Sequence, residues 1–209
     1  MRLVTGNKES LISLLDLSNL IVNYQGVEVD LGCGDGGWVY KKALVNPKTF
    51  YIGVDPAGNQ MVDTSKKALK KRLKNVLFVI GSYEILPAEL LGVADRLTVI
   101  LPWGSLLAAV AKPTFDDAKK FGSLLKSGGV LEVVFGYSQN LEPTQAERLN
   151  LDTLDLARIT TEILPIFIKS GFGVISCRQI YDFPETTWGK KLHLSPGRPF
   201  FNLVLNRVS

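Results

Sequence analysis

The stretch that most constrains this chain is Val27-Glu28-Val29-Asp30-Leu31-Gly32-Cys33-Gly34-Asp35-Gly36. Val27, Val29 and Leu31 alternate as in a short buried strand, which stops on three glycines spaced two apart. Glycines at such a place permit a tight turn and let backbone come close to a ligand. Gly loops that hold phosphate usually carry a lysine or the wider G-x-G-x-x-G spacing. This loop presents two carboxylates instead, Asp30 and Asp35. Carboxylates suit a cationic or hydroxyl-rich ligand better than a pyrophosphate; the alternative is a generic βα turn.

S-Adenosylmethionine carries an amino group, a sulfonium and a ribose, and the Asp-Leu-Gly-Cys-Gly-Asp-Gly string resembles motif I of the class I methyltransferases. The chain's 209 residues suit one α/β domain spanning 1–209 with a sizeable core. Apolar content of 46% and charged content of 21% are ordinary for a globular protein and argue against disorder. No apolar run is long enough to span a membrane, and charges interrupt residues 1–12 too often for a signal peptide. Cys33 and Cys177 lie too far apart for a zinc spacing and are too few for a disulfide framework. A cytoplasmic, metal-free monomer is the expectation.

The net charge of +4 is unevenly spread. Lys66, Lys67, Lys70, Lys71, Arg72 and Lys74 supply the entire excess, since the remaining basic residues are outnumbered by acidic ones. On a helix over 59–73 these side chains would fall largely on one side. Such a run is either a solvated face or a phosphate-contacting patch. Like charges four apart repel slightly, so helix stability alone does not account for them.

Apolar segments at 27–31, 50–54, 76–80, 97–101, 130–136, 172–178 and 200–206 read as strands. Helices are expected near 9–19, 37–45, 59–73, 104–111, 115–125 and 153–169, with an N-terminal hairpin around Thr5-Gly6-Asn7. The alternation predicts an α/β fold, doubly wound around a mostly parallel seven-stranded sheet with an antiparallel C-terminal strand. Connections 137–152 and 180–199 are long, and in a compact domain such connections are often functional.

Ligands of open α/β sheets bind beyond the carboxyl ends of the strands. Asp55, ending the second of the seven strands before Pro56, is placed to accept ribose hydroxyls; the alternative is a helix cap. Glu84, in Gly81-Ser82-Tyr83-Glu84, is a candidate for an adenine amino group. The fourth strand runs out into Leu101-Pro102-Trp103-Gly104-Ser105, where the acceptor should sit. The Asn/Asp-Pro-Pro-Tyr/Phe of exocyclic-amine methylation and the Pro-Cys of C5 methylation are both missing there. His193 is the sole histidine, so a histidine base would have to be that residue. Trp103, with Trp188 in the second long connection, suggests instead two indoles stacking an extracted base. Adenine N1 carries an in-plane lone pair, so such an acceptor needs positioning rather than a base. Indole faces would favour the cationic product through cation–π attraction.

Taken together, these residues resemble the Kam/Npm-type aminoglycoside-resistance methyltransferases, which modify N1 of adenine 1408 in 16S ribosomal RNA. The resemblance spans nearly the whole chain. It rests on Asp30-Leu31-Gly32-x-Gly34-Asp35-Gly36, Phe50-Tyr51-Ile52-Gly53-x-Asp55-Pro56, and Ser65-Lys66-Lys67 with Lys70-Lys71. It continues through Asn75-Val76-x-Phe78-Val79-Ile80, Glu84-x-Leu86-Pro87, Pro102-Trp103-Gly104 and Trp188 with Lys190. It implies S-adenosylmethionine contacts at Asp30, Gly32, Asp55, Glu84 and Ser105 and a hydroxyl from Thr186 or Thr187. Gly34, Asp35, Pro56 and Pro102 join that cofactor set from their places in the same strings. Base stacking falls to Trp103 and Trp188. Backbone contacts to 16S rRNA of the 30S subunit fall to the lysine helix, with Lys190, Lys191 and Arg198 added from the second loop. That loop is less arginine-rich than the family's, which should weaken phosphate contacts. Other readings are the same chemistry on tRNA adenine or a small planar metabolite, or a catalytically weak ribosome-binding homologue. The lysine run argues against a metabolite, and the intact pocket and tryptophans argue against a binding-only protein.

Overall fold

The computed structural model describes residues 1–181, 189 and 198–208. One nine-stranded sheet organises them. Its strands are β1 (Arg2–Thr5), β2 (Lys8–Leu11), β3 (Gly26–Leu31), β4 (Thr49–Asp55), β5 (Val76–Ile80), β6 (Ala94–Ile100), β7 (Leu125–Phe135), β8 (Phe172–Ile180) and β9 (Phe200–Arg207). They lie in the order β2-β1-β5-β4-β3-β6-β7-β9-β8. β3 to β7 run parallel, while β1 pairs antiparallel with β5, and β9 antiparallel with both β7 and β8. The seven expected strands are all present, and the N-terminal hairpin extends the same sheet rather than standing apart from it.

The helices are α1 (Leu14–Ile21), α2 (Gly37–Val45), α3 (Gly58–Lys70), α4 (Gly104–Ala111), α5 (Phe115–Leu124), α6 (Pro143–Arg148), α7 (Leu156–Arg158) and α8 (Leu164–Lys169). None is long and apolar enough to cross a membrane. Ser13 and Thr114 each form a capping box, with Asp16 and Asp117 respectively. Such boxes satisfy backbone N–H groups that a helix start would otherwise leave unpaired.

The sheet divides the core. Val27, Val29, Leu31, Phe50, Ile52, Leu97, Val99, Leu131 and Val133 point into the larger cluster, shared with Leu106, Phe121, Ile163 and Phe167 from the helices of that side. Tyr51, Val76 and Phe78 face the other way, against Val39 of α2 and Met61 of α3. Central strands buried on both faces read as continuous apolar runs, which is why their sequence signal is strong.

Three expectations need correction. Residues 8–11 are strand, and the first helix begins only at Leu14. The lysine helix ends at Lys70, because Lys71 caps it and Arg72 adopts a left-handed backbone with φ 55°. Lys71, Arg72 and Lys74 therefore follow the helix instead of lying along it. The helix expected over 153–169 is interrupted by a π turn, Ile159–Ile163, just before Pro165. Pro165 has no N–H to close an ordinary α turn, and a widened turn accommodates it.

The connection 137–152 contains α6 and is pinned by Arg158, whose side chain is 8% exposed. Its guanidinium donates to Tyr137 Oη (2.8 Å) and Ala111 O (3.1 Å) and pairs with Glu162 (3.2 Å). Replacing Arg158 by Ala strips hydrogen bonds from buried acceptors and should destabilise the fold by about 2–3 kcal/mol. Tyr137→Phe, which removes one hydroxyl, should cost about 1 kcal/mol. Urea denaturation midpoints of the two variants test that ranking, and equal midpoints would contradict it.

Candidate active site

Along the sheet, chain connections run outward in opposite directions from β3 and from β6, which makes their junction the topological switch point. A crevice beyond the carboxyl ends of these strands is the expected ligand site. A cleft of about 530 Å³ lies there. Asp30, Gly32, Gly34, Asp35, Asp55, Pro56, Glu84, Pro102, Trp103 and Ser105 all line it. The structure thus brings together every cofactor-side candidate that it describes, along with one of the two candidate base-stacking tryptophans.

Each wall has a local cause. Asp30, the penultimate residue of β3, is 3% exposed and accepts a hydrogen bond from Thr98 Oγ1 of β6 at 2.8 Å. Burial pushes its carboxyl up to about 7, with the charges of Glu28 and Asp55 adding to that and the Thr98 hydroxyl opposing it. Gly32 has φ 81°, and a Cβ there would stand 2.7 Å from Leu106 Cδ2. Gly34 has φ 58°, and a Cβ there would meet nothing within 4 Å, so the missing side chain leaves open space along the cleft. Asp35 Oδ1 accepts from the Gly37 N–H at 2.9 Å, turning the loop into α2.

Asp55 joins the two halves of this wall. Its Oδ2 accepts from the Gly34 N–H at 2.9 Å and its Oδ1 from the Ala57 N–H at 2.8 Å. It therefore secures the turn into α3 and the glycine loop at once, while still facing the cleft. Glu84 accepts from the Ser105 hydroxyl, which spans from the loop after β5 to the start of α4. That bond is the main reason the Glu84 carboxyl is held below its ordinary value.

Leu101, just past β6, has φ 51° and donates its N–H to Val134 O at 2.7 Å. A bulky residue held in a left-handed backbone costs energy, and such positions cluster at functional sites. Here it turns Pro102 and Trp103 over the cleft, and Trp103 is 45% exposed. That exposure is incompatible with a core role for the indole.

Ten lining residues lie outside the predicted set, and three of them have side chains with evident contacts to offer a ligand: Trp38, Gln60 and Tyr83. Trp38 follows the glycine loop by two positions, and Gln60 lies in the first turn of α3. Tyr83, in the quoted Gly-Ser-Tyr-Glu string, is buried and donates its hydroxyl to Asp117 of α5. Proximity in sequence to the loop was available as a signal for Trp38 and Tyr83. The pairing with Asp117 was not.

Lys66, Lys67, Lys70, Lys71, Arg72 and Lys74 are exposed, outside the cleft. Arg198 is a correction. Its side chain is 4% exposed and paired with Glu142 of the first long connection, not displayed with the surface lysines. An arginine with a nearby acid can be withdrawn from the surface in this way, and Glu142 is too distant in sequence for the pairing to be read locally. Thr186, Thr187, Trp188, Lys190, Lys191 and His193 lie outside the described residues.

Comparison with known proteins accords with this geometry. The model of the NpmA family, described as 16S rRNA (adenine(1408)-N(1))-methyltransferase, matches residues 2–205. The chain belongs to this family. A 16S rRNA (adenine(1408)-N(1))-methyltransferase from Escherichia coli is 34% identical over 213 residues, 97% of each chain. The crystal structure of the aminoglycoside resistance methyltransferase NpmB1 is 34% identical, with a TM-score of 0.86 and full coverage of both chains. A family enzyme from Catenulisporales acidiphilia, crystallised with cosubstrate SAM, is 25% identical with a TM-score of 0.88, covering 100% of this chain and 97% of that one. The α/β methyltransferase fold is common to this chain and both solved structures.

The buried Asp30 makes a prediction. Its native carboxyl holds a proton up to about pH 7, whereas an unfolded-chain aspartate releases it near pH 3.9. The associated stability is therefore present in acid and is lost as pH rises through about 7. For this group the slope reaches at most about 1.4 kcal/mol per pH unit between pH 5 and 7. Asp30→Asn, which retains an acceptor for Thr98, should flatten thermal stability across that window; parallel profiles for the two proteins would remove Asp30 as the source.

Proposed function

We propose that this chain transfers a methyl group from S-adenosylmethionine to N1 of adenine 1408 in 16S rRNA of the 30S subunit, and so confers aminoglycoside resistance. The observation that carries this reading is the switch-point cleft itself. Among the described residues it is lined by four carboxylates and by no lysine or arginine, and it opens at an exposed tryptophan. A cation with hydroxyls and an aromatic amine fits that set of acceptors, and the open space beside Gly34 leaves room for it. S-Adenosylmethionine, when bound, supplies an electrophilic methyl on its sulfonium.

In this reading Asp30 and Asp35 hold the ammonium end, Asp55 accepts the ribose hydroxyls and Glu84 accepts from the adenine amino group. Gly32, Gly34, Pro56, Pro102 and Ser105 shape the walls, with a hydroxyl from Thr186 or Thr187. Trp103 stacks on the target base, with Trp188 on its other face. No general base is required, because neutral adenine N1 already offers its lone pair. The chain contributes alignment, and orientation alone can account for a large share of a barrier. Stacking on an indole also favours the positive charge that the methylated ring acquires. Lys66, Lys67, Lys70, Lys71, Arg72 and Lys74 contact rRNA phosphates, joined by Lys190 and Lys191. The enzyme works as a cytoplasmic monomer.

Labelled methyl transfer to purified 30S subunits, mapped by a reverse-transcription stop, is expected to place the product at adenine 1408. A stop elsewhere would retain the chemistry and discard the target. Base–aromatic stacking contributes about 1–3 kcal/mol per base. Trp103→Ala should therefore lower transfer by about ten- to a hundredfold while leaving cofactor titration heats intact; wild-type rates would reject the stacking role. The cationic cofactor selects the ionised form of Asp30, so affinity should rise as pH increases through about 7. Calorimetry at pH 6 in buffers of different ionisation enthalpy should register proton release on binding. Its absence would separate Asp30 from the ammonium.

A further inference from the structure

The basic run does not end where its helix ends. α3 stops at Lys70, yet Lys71, Arg72 and Lys74 carry the positive charge on toward β5. The next residue, Asn75, belongs to a string that the site leaves unused. It is 5% exposed, and its side-chain amide donates to Ala43 O at 3.1 Å, Asn46 O at 3.2 Å and Thr49 O at 3.1 Å. One buried amide thus fixes the turn between α2 and β4 against the start of β5, and Tyr51 N–H donates to Asn75 O at 2.9 Å in the same junction. Lys48 and Lys74 are the immediate chain neighbours of Thr49 and Asn75, so the clamp brings the backbone segments that carry two cations from distant sequence to one junction.

These charges lack acidic partners. Lys48, Lys67, Lys70, Lys71, Arg72 and Lys74 are exposed, and among the described residues none is ion-paired. Some cations elsewhere find acids, as in Arg96–Glu132 and Lys126–Asp95, both at 2.8 Å, and isolated exposed ones such as Lys8 and Lys169 find none among the described residues. What sets this patch apart is that five of its six cations fall within residues 67–74. A helix macrodipole favours lysines in a last turn. That accounts for Lys67 and Lys70, but Lys48 and Lys74 belong to no helix. Their repulsion is left unbalanced by the chain itself, the condition of a surface that meets a polyanion.

We infer that the RNA-contacting surface turns the corner of α3 onto the amino-terminal edge of β4 and β5, where Lys48 joins Lys74 on phosphate. This inference rests on the proposed ribosomal function and extends its footprint. The basic residues begin at Lys66, in the second half of α3, and continue past its end, while the helix's other end reaches the cleft at Gln60; α3 spans about 20 Å at 1.5 Å per residue. Its partner is a folded RNA presenting phosphates across that span. Asn75 is a positioning residue that holds the two basic segments in one orientation.

The test is 30S binding by Lys48→Glu, Lys70→Glu and Lys119→Glu as a function of salt, with cofactor titration and transfer at saturating 30S measured alongside. Lys119 lies on α5, on the opposite side of the sheet, and serves as the control. Each lost phosphate contact should reduce the slope of log affinity against log salt by about one. Lys48→Glu is expected to do so and to weaken binding several-fold, with cofactor affinity and saturated turnover unchanged. Lys119→Glu should match the wild type. A reduced slope for Lys70→Glu with none for Lys48→Glu would overturn the inference and end the surface at α3. If neither variant moves the slope while the wild type still methylates 30S, the whole basic face is excluded and the catalytic reading stands. Failure of the wild type to methylate 30S, with cofactor bound, would instead reject the ribosomal substrate and this inference with it.

Discussion

The rest of the site hangs on a carboxylate buried between two strands that belong to opposite halves of the sheet. Asp30 leaves solvent because β3 is central, and Thr98 of β6 supplies a side-chain hydrogen bond that helps make its burial tolerable. A buried charge without a counter-charge tends to neutralise itself, and the Asp30 carboxyl accordingly retains its proton to about pH 7. The fold thus holds an uncompensated acid at its switch point. A cation placed there would relieve the penalty of that burial, so ligand binding and fold stability would be coupled through this carboxyl.

Around that acid, the loop geometry follows from steric facts. Leu106 leaves no space for a side chain at Gly32, while Gly34 faces open cleft and donates its N–H to Asp55. Asp55 has two structural roles, although the N-cap of α3 is Ala57. It fastens the start of α3 and also faces the ligand space, because a carboxylate has more acceptor sites than the two backbone donors consume. Glu84 and Ser105 behave similarly, each the other's partner across the cleft and each turned toward the space a ligand would fill.

Legibility in the sequence tracks locality. The central strands and the glycine loop declare themselves because double burial produces unbroken apolar runs and because turns demand particular residues. The strand end at Leu101-Pro102-Trp103 was legible as a site but not as a strained one, since nothing in the residue types announces that Leu101 holds a positive φ. The end of α3 was misplaced because lysine favours helix and carries no stop signal; only the backbone at Arg72 shows where the helix breaks. Arg198 was misread for a different reason. Its type says surface, but Glu142, more than fifty residues away, draws it inside. Tyr83 and Asp117 belong to the same class of non-local pairing. Contacts made by folding, rather than by neighbours in the chain, are what pattern reading cannot supply.

The distribution of charge then separates the two ligands that the proposed reaction needs. Asp30, Asp35, Asp55 and Glu84 give the cleft a negative lining, and no lysine or arginine reaches it among the described residues. The unpaired cations lie outside, along α3 and beyond it. A polyanion attracted to that face is repelled by the cleft floor, so phosphate cannot follow where a small cation is favoured. What can cross between the two regions is an uncharged, flat group, and the entrance is guarded by an indole that is half exposed and set on a strained turn. In the proposed reaction, opposed electrostatics of this kind would favour a neutral base over the charged strand that carries it. If the reaction is as proposed, the same arrangement would let the cofactor side be tuned by pH through Asp30 and the RNA side by salt through the lysines, with little interference between them.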